Sequence, residues 1–246
     1  MTHPKKPNIL FILADQMRSH SLGCYGNSQI ATPNFDRLAR EGVQFSNAVS
    51  THPVCGPYRA MLMTGNFPYK NGLLQTDHHM RNPDPYFAEV CKESGYDTAY
   101  IGKFHLDGRN GRKGPIAPDR RLGFDYWRAF ECTHNYFNSQ YYHQNETEPR
   151  VWPDYDAISQ TKDACQYISN HQENPFFMIL SWGPPHGPYI APDKYMKRWK
   201  NRHLDLRENV EDFQTARYLW EKCDTVLPDK HLSMRERFKE TLEDPN

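Results

Sequence analysis

The sequence predicts an α/β fold, a mainly parallel sheet between helices in a three-layer αβα sandwich. Three observations carry this. Short, almost wholly apolar runs recur along the chain, each of the length of a buried strand. Helix signals alternate with them, giving strand, helix, strand, helix, strand, helix, strand. Polar residues stand where these runs end, and in a parallel sheet that carboxyl edge is where ligands bind.

Each element has its own signal. Residues 8–14 form an apolar run that reads as a fully buried, central parallel strand, ending in Asp15-Gln16. Thr32-Pro33 opens a helix, with Thr as N-cap and Pro at the first helical position. Its apolar face is Phe35, Leu38 and Ala39, and Gly42 closes it. Residues 43–49 read as a second strand. Residues 57–64 read as a short helix closed by Gly65, which places Cys55 just before a helix N-terminus, where free N–H groups and the helix dipole favour an anion. Asp84-Pro85 caps a further helix running to Gly95. Residues 96–101 read as a strand ending in Gly102-Lys103-Phe104-His105. Residues 107–155, rich in Gly, Pro and aromatics, read as mostly irregular. A helix over 159–171 and a buried strand over 175–182 follow, the strand running into Gly183-Pro184-Pro185-His186. From 192 onward the chain is charged and reads as a helical tail.

Composition narrows the function. The 246 residues suffice for one substantial domain. Acidic and basic residues balance at 30 each, so no net field favours nucleic acid or an anionic membrane. With 19 prolines and many aromatics, a loop-rich enzyme fits better than a helical bundle. The apolar run near the N-terminus is too short for a signal peptide or a membrane span, which points to a cytoplasmic protein. A periplasmic or secreted location would require a different N-terminus. Six cysteines without a C-x-x-C pair argue against a zinc knuckle or a disulfide framework, and reduced thiols are the simplest reading.

Taken singly, the polar residues have ordinary readings: Cys55 as a buried thiol, Asp15 as a turn cap, Gln16 as a loop hydrogen-bonder, Lys103 as a solvated charge, His105 and His186 as surface or core histidines. Taken as a set they read differently. Cys55-Gly56-Pro57-Tyr58-Arg59 has the form C-x-P-x-R and is followed by Leu62-Met63-Thr64-Gly65. Before it lies the run ending in Asp15-Gln16, with Leu22-Gly23-Cys24-Tyr25-Gly26. After it come Gly95 to His105, and Pro175 through His186. These four stretches, in this order over residues 7–195, resemble the type I, formylglycine-dependent sulfatases of the alkaline-phosphatase-like superfamily.

The resemblance implies an alkaline-phosphatase-like fold and a sulfuric ester hydrolase acting on a sulfate monoester, such as that of a carbohydrate. It implies that Cys55 is oxidised to formylglycine by a maturation enzyme, and that the aldehyde hydrate is the nucleophile. Asp15, Gln16 and the modified Cys55 would hold Ca²⁺, with Mg²⁺ as the alternative. Arg59 would hold the hydrate, Lys103 would bind a sulfate oxygen, and His105 would hydrogen-bond the hydrate and help its collapse. His186 would contact the ester and protonate the leaving oxygen. Trp127, Tyr136, Phe137, Tyr141 and Tyr142 either stack on a sugar or aryl group or form local core. The implied partners are a small-molecule or saccharide sulfate ester and the maturation enzyme. Oligomeric state is left open.

The sequence departs from the family in two places. Tyr58 stands where Ser or Ala is commonest, a mild change. The later apolar strand ending in Asp followed by Asn, His or Gln, which completes the family's metal site, has no counterpart here, nor does a downstream sulfate-binding Lys. Residues 1–246 therefore read as the N-terminal part of a single catalytic domain, incomplete at its C-terminal end, with 107–155 as a substrate-side loop region and 192–246 as the tail. The expectation is little or no turnover from this chain by itself. Because Asp-Gln occurs in related hydrolases, a phosphonate monoester or phosphodiester substrate is the second reading. An inactive binding or regulatory remnant is the third.

Overall fold

A computed structural model describes residues 6–78, 80–81, 85–108, 112–199, 202 and 205. The chain divides into two units, Met1–Asp193 and Lys194–Asn246. The first is built on six strands: β1 (Ile9–Ala14), β2 (Asp97–Lys103), β3 (Tyr126–Phe130), β4 (Gln140–His143), β5 (Arg150–Val151) and β6 (Phe176–Trp182). Their order across the sheet is β1-β6-β2-β3-β4-β5. The first three pairings are parallel, and β4 and β5 add an antiparallel edge. The helices are α1 (Pro33–Glu41), α2 (Cys55–Thr64), α3 (Pro68–Asn71), α4 (Phe87–Glu93), α5 (Asp156–Asn170) and α6 (Asp193–Met196), the last straddling the unit boundary. No helix among the described residues is long and apolar enough to cross a membrane.

Alternation along the strands makes three layers. Tyr100, Trp127, Phe177 and Ile179 face α2 and α4, packing with Ala60, Met63, Ala88 and Cys91. Ala99, Ile101, Met178 and Leu180 face α5, packing with Ala164 and Tyr167. β6 and β2, the central pair, are buried along almost their whole length. That burial drives the fold, since each fully buried large apolar side chain contributes about 1.5–3 kcal/mol.

Four expectations change. The strand over 8–14 exists and is parallel, but among the described residues it lies at the sheet edge, not the centre. Ile9 and Phe11 reach the α2/α4 core, while Leu10 and Ile12, on the opposite face, are 42% and 47% exposed. Residues 43–49 form no strand; Val43 and Phe45 are 81% and 71% exposed. That stretch is tied instead to residues 24–25, since Tyr25 donates to the Phe45 carbonyl and Gln44 to that of Cys24. Its alternating pattern lacks a partner strand to pair with. The segment 107–155 is less irregular than its Gly and Pro content implies, because its aromatic runs are β3 and β4. Finally, the helix after residue 84 is capped by Tyr86, whose N–H donates to Glu89 at 2.9 Å, in a capping box. Asp84 lies outside the described residues, as does most of the expected tail over 192–246.

The helix at Thr32-Pro33 starts as read, though the Thr32 hydroxyl does not cap it. It accepts from the Gly23 N–H and donates to Asp36, tying α1 to the turn after β1. The apolar face of α1 is largely open, with Leu38 66% exposed.

Candidate active site

The site forms where β1, β6 and β2 end and α2 begins. Asp15 follows β1 and is buried, its N–H reaching the Trp182 carbonyl at the end of β6. Lys103 ends β2 and Ser181 precedes the end of β6, both buried. Cys55 is the first residue of α2, two positions earlier in the helix than the sequence suggests. Its companion Arg59 is one turn on, so both side chains share the face turned toward the strand ends.

A network of short contacts holds these groups. Lys103 Nζ donates to Asp15 Oδ2 at 2.6 Å, and Arg59 Nη2 lies 3.7 Å from the same oxygen. Cys55 Sγ is 3.5 Å from Asp15 Oδ1. Arg59 Nη1 donates to the Lys103 carbonyl at 2.7 Å and to Ser181 Oγ at 2.8 Å. Tyr100 and Ser181 donate to that same carbonyl. One guanidinium edge is thus fixed in the sheet, while Arg59 Nη2, also buried, has no hydrogen-bond partner. An unpaired buried donor is costly, and a ligand oxygen would satisfy it.

Electrostatics follow from this packing. Burial pushes the Asp15 carboxyl up, but the cations of Lys103 and Arg59 and the Lys103 hydrogen bond outweigh it and hold the carboxyl below its ordinary value. Burial pushes the Cys55 thiol up, and Asp15 adds to this against the two cations. Cys55 is therefore a neutral thiol, a poor nucleophile as it stands. Burial, with Lys103, Arg59 and Arg112 nearby, pushes His105 down to about 3 despite its bond to Asp77, so its ring is neutral.

Of the residues singled out from sequence, the structure brings together Asp15, Cys55, Arg59 and Lys103 in direct contact. His186 joins them: one donor atom each from Asp15, Cys55 and His186 lie within 4.8 Å of one another. The His186 ring stacks on His134 at 4.6 Å between centroids, and its Nδ1 is 2.9 Å from the Gly187 carbonyl. Gln16 follows Asp15 with an exposed side chain and a left-handed φ of 58°. His105 is also left-handed, at φ 57°, and is turned toward Asp77, its Nε2 3.2 Å from Oδ1. Trp127, Tyr136 and Tyr141 are buried core, and Phe137 is 42% exposed.

The donor set fits one side of a hard divalent cation. Asp15 offers carboxylate oxygen, with Oδ1 carrying only the weak thiol contact, and Gln16 offers an amide oxygen next to it in sequence. Sulfur at position 55 suits such an ion less than an oxygen there would.

Sequence reasoning missed four groups. Ser181 had a readable signal, a lone hydroxyl in an otherwise apolar strand. Asp77 and Arg112 had none, since they lie in loops distant in sequence. Tyr136, whose hydroxyl donates to the His186 carbonyl at 2.7 Å, was read only as an aromatic platform.

This geometry defines an α/β protein that gathers Asp15, Cys55, Arg59, Lys103 and His186 near the carboxyl ends of its parallel strands. The chain belongs to the sulfatase family, whose family model, described as Sulfatase, matches residues 7–240. It is 41% identical over 218 residues to an ulvan-active sulfatase of Formosa agariphila, covering 87% of this chain and 42% of that protein. A Bacteroides fragilis crystal structure named as the sulfatase yidJ superposes with a TM-score of 0.76 at 30% identity, over 82% of this chain and 50% of that one. A further solved structure, in complex with its substrate D-glucosamine-2-N,6-O-disulfate, gives a TM-score of 0.72 at 27% identity, over 83% of this chain and 40% of that one. The chain thus spans half or less of the length of these relatives.

Proposed function

We propose that this chain carries the nucleophile side of a sulfuric ester hydrolase site, for a sulfate monoester of a saccharide. The observation that carries this is the setting of Cys55: a neutral thiol on the first residue of α2, 3.5 Å from a carboxylate held ionised by buried Lys103 and Arg59. A thiol so placed is a weak nucleophile, yet the surrounding charges are those an anionic ester needs. Oxidised by a formylglycine-generating enzyme, Cys55 would supply an aldehyde hydrate, an oxygen nucleophile that releases sulfate by returning to the carbonyl. Ca²⁺, or Mg²⁺ in its place, held by Asp15, Gln16 and residue 55, would lower the pKa of that nucleophile and offset the charge of the ester.

The chain's own residues do the rest. Arg59 Nη2, the unpaired buried donor, binds an oxygen at position 55 or on the ester. Lys103 Nζ, anchored on Asp15, offers its remaining hydrogens to a sulfate oxygen. His105 is neutral and able to accept a proton. His186, beside Cys55 and Asp15, donates to the leaving oxygen, so the products are the alcohol and sulfate. The saccharide class is supported by the relatives named for ulvan and solved with a glucosamine disulfate.

The test is expression of the 246-residue chain with and without a formylglycine-generating enzyme. Mass spectrometry of the Cys55 peptide should show the aldehyde only with that enzyme, and Ca²⁺ should raise the melting temperature of the converted chain. An unmodified Cys55 together with no calcium-dependent stabilisation would overturn the reading in favour of a non-catalytic remnant.

A further inference from the structure

His105 sits beside Asp77, from the loop between α3 and α4, and Arg112, farther along its own β2–β3 connection. Asp77 Oδ1 is 3.2 Å from His105 Nε2. The same carboxylate is gripped from its far side by Arg112, whose Nε reaches Oδ1 at 2.7 Å and whose Nη2 reaches Oδ2 at 2.6 Å. That is a bidentate fork, the geometry in which an Arg–carboxylate pair is most directional. It leaves Asp77 ionised: the Arg112 hydrogen bonds hold its carboxyl below the ordinary range against partial burial. An ionised carboxylate only accepts, so His105 must carry its proton on Nε2. Its other nitrogen, Nδ1, is buried and has no hydrogen-bond partner.

The placement points toward the proposed nucleophile. The His105 carbonyl and the Thr76 backbone both lie within 4 Å of where a Cβ on Gly56 would stand, so the loops carrying His105 and Asp77 pack on the first turn of α2. Three residues here, Asp77, His105 and Arg112, hold left-handed φ angles of 67°, 57° and 70° without being glycine. Such conformations are disfavoured for residues with a Cβ and persist where surrounding contacts over-determine them. The two loops are thus held in strained conformations that keep carboxylate and imidazole in register. Glu131 reinforces one of them by accepting from the Leu106 and Gly108 N–H groups.

We propose that Asp77 and Arg112 are positioning residues for His105, fixing the tautomer that carries hydrogen on Nε2 and so leaving Nδ1 as the ring's proton acceptor in the site. Its catalytic meaning rests on the sulfatase reading, while the tautomer itself does not. The logic is that of a carboxylate orienting an imidazole in a hydrolytic triad. Here an arginine orients the carboxylate in turn. Because the ring stays neutral near pH 7, one tautomer or the other must be populated, and Asp77 selects which.

The experiment is nitrogen NMR of the full chain with labelled histidine, the His105 signals identified by their loss in His105→Gln. The wild-type ring should show hydrogen on Nε2 and a bare Nδ1 near neutral pH. Asp77→Ala should shift it to a mixture of tautomers with the circular dichroism spectrum unchanged. Arg112→Gln, which keeps the carboxylate, should shift it less. A wild-type ring protonated on Nδ1, or an unchanged tautomer in folded Asp77→Ala, would overturn the proposal. If Asp77→Ala does not fold, Asp77→Ser makes the same comparison, and the wild-type spectrum alone still decides. Failure of aldehyde formation at Cys55 would count against the sulfatase reading and leave the tautomer result standing.

Discussion

Lys103 and Asp15 meet across a strand that separates them. Their 2.6 Å contact joins the ends of β2 and β1, which are not neighbours, over the end of β6. Ser181 on β6 completes the bridge by bonding to Arg59 and to the Lys103 carbonyl. Three adjacent strand ends are therefore locked by the charges that would bind the ester, and structure and site share one network.

Removing one partner of this pair should cost more than removing both. Lys103→Met leaves the Asp15 carboxylate buried with only Arg59 nearby, and breaking a buried pair in this way costs about 3–5 kcal/mol. The double variant Asp15→Asn with Lys103→Met should recover much of that loss in urea denaturation. The sign with pH follows from the depressed Asp15 carboxyl: its contribution is present above the ordinary carboxylate range and is lost as pH falls through the lowered folded value. A loss in the double variant equal to the sum of the Asp15→Asn and Lys103→Met losses would show the pair to be uncoupled.

Gly102 makes a sharper case. It holds φ 105° inside β2, and a Cβ there would stand 2.1 Å from the Ser181 carbonyl oxygen, a backbone atom that cannot turn aside. Gly102→Ala should therefore force β2 from β6 next to Lys103. The expected loss is about 4 kcal/mol or more, with the Lys103 side chain displaced from Asp15. Thermal melts and the affinity for inorganic sulfate should fall together; a variant of wild-type stability would contradict the close approach.

Much of this was legible in the sequence, and the exceptions share a cause. β6 was readable because burial on both faces leaves a nearly continuous apolar run, and β2 from the shorter run Ala99-Tyr100-Ile101. α2 was readable from Pro57 and Gly65, and the grouping of Asp15, Cys55, Arg59, Lys103 and His186 from what the resemblance of their four stretches to the sulfatases implies. What failed depended on neighbours. Residues 43–49 read as a strand but, among the described residues, have no strand to pair with. Leu10 and Ile12 look like core yet lie on a face that α5 does not reach. Asp77 and Arg112 are brought to His105 only by the way two loops close, which no local pattern encodes.

That uncovered face has a measurable consequence. Among the described residues β1 is an edge strand that presents Leu10 and Ile12, and an exposed apolar edge is a template for association. The purified chain should self-associate with rising concentration in light scattering, and Ile12→Lys should reduce this while changing the unfolding free energy by no more than about 0.5 kcal/mol. A chain monomeric at all concentrations would show the edge to be already protected.

The buried carboxyl of Asp156 supplies a pH signature separate from the site. It is the first residue of α5 and fully buried, beside Gly183 at the start of the His186 loop. Burial pushes it up to about 7, against the lowering effect of the Ala157 N–H and the Ser139 hydroxyl. In the unfolded chain it ionises in the ordinary carboxylate range. Between that range and about 7 the folded state therefore holds a proton that the unfolded state has released, so this group makes stability fall as pH rises. The slope is at most about 1.4 kcal/mol per pH unit, levelling off once the folded carboxyl has also ionised. Asp156→Asn keeps the size and removes the titration. The stability difference between variant and wild type should thus grow in the variant's favour from mildly acidic to neutral pH and then flatten, as read from paired thermal melts across that window. A difference independent of pH would mean that Asp156 ionises in the folded protein as it does in water.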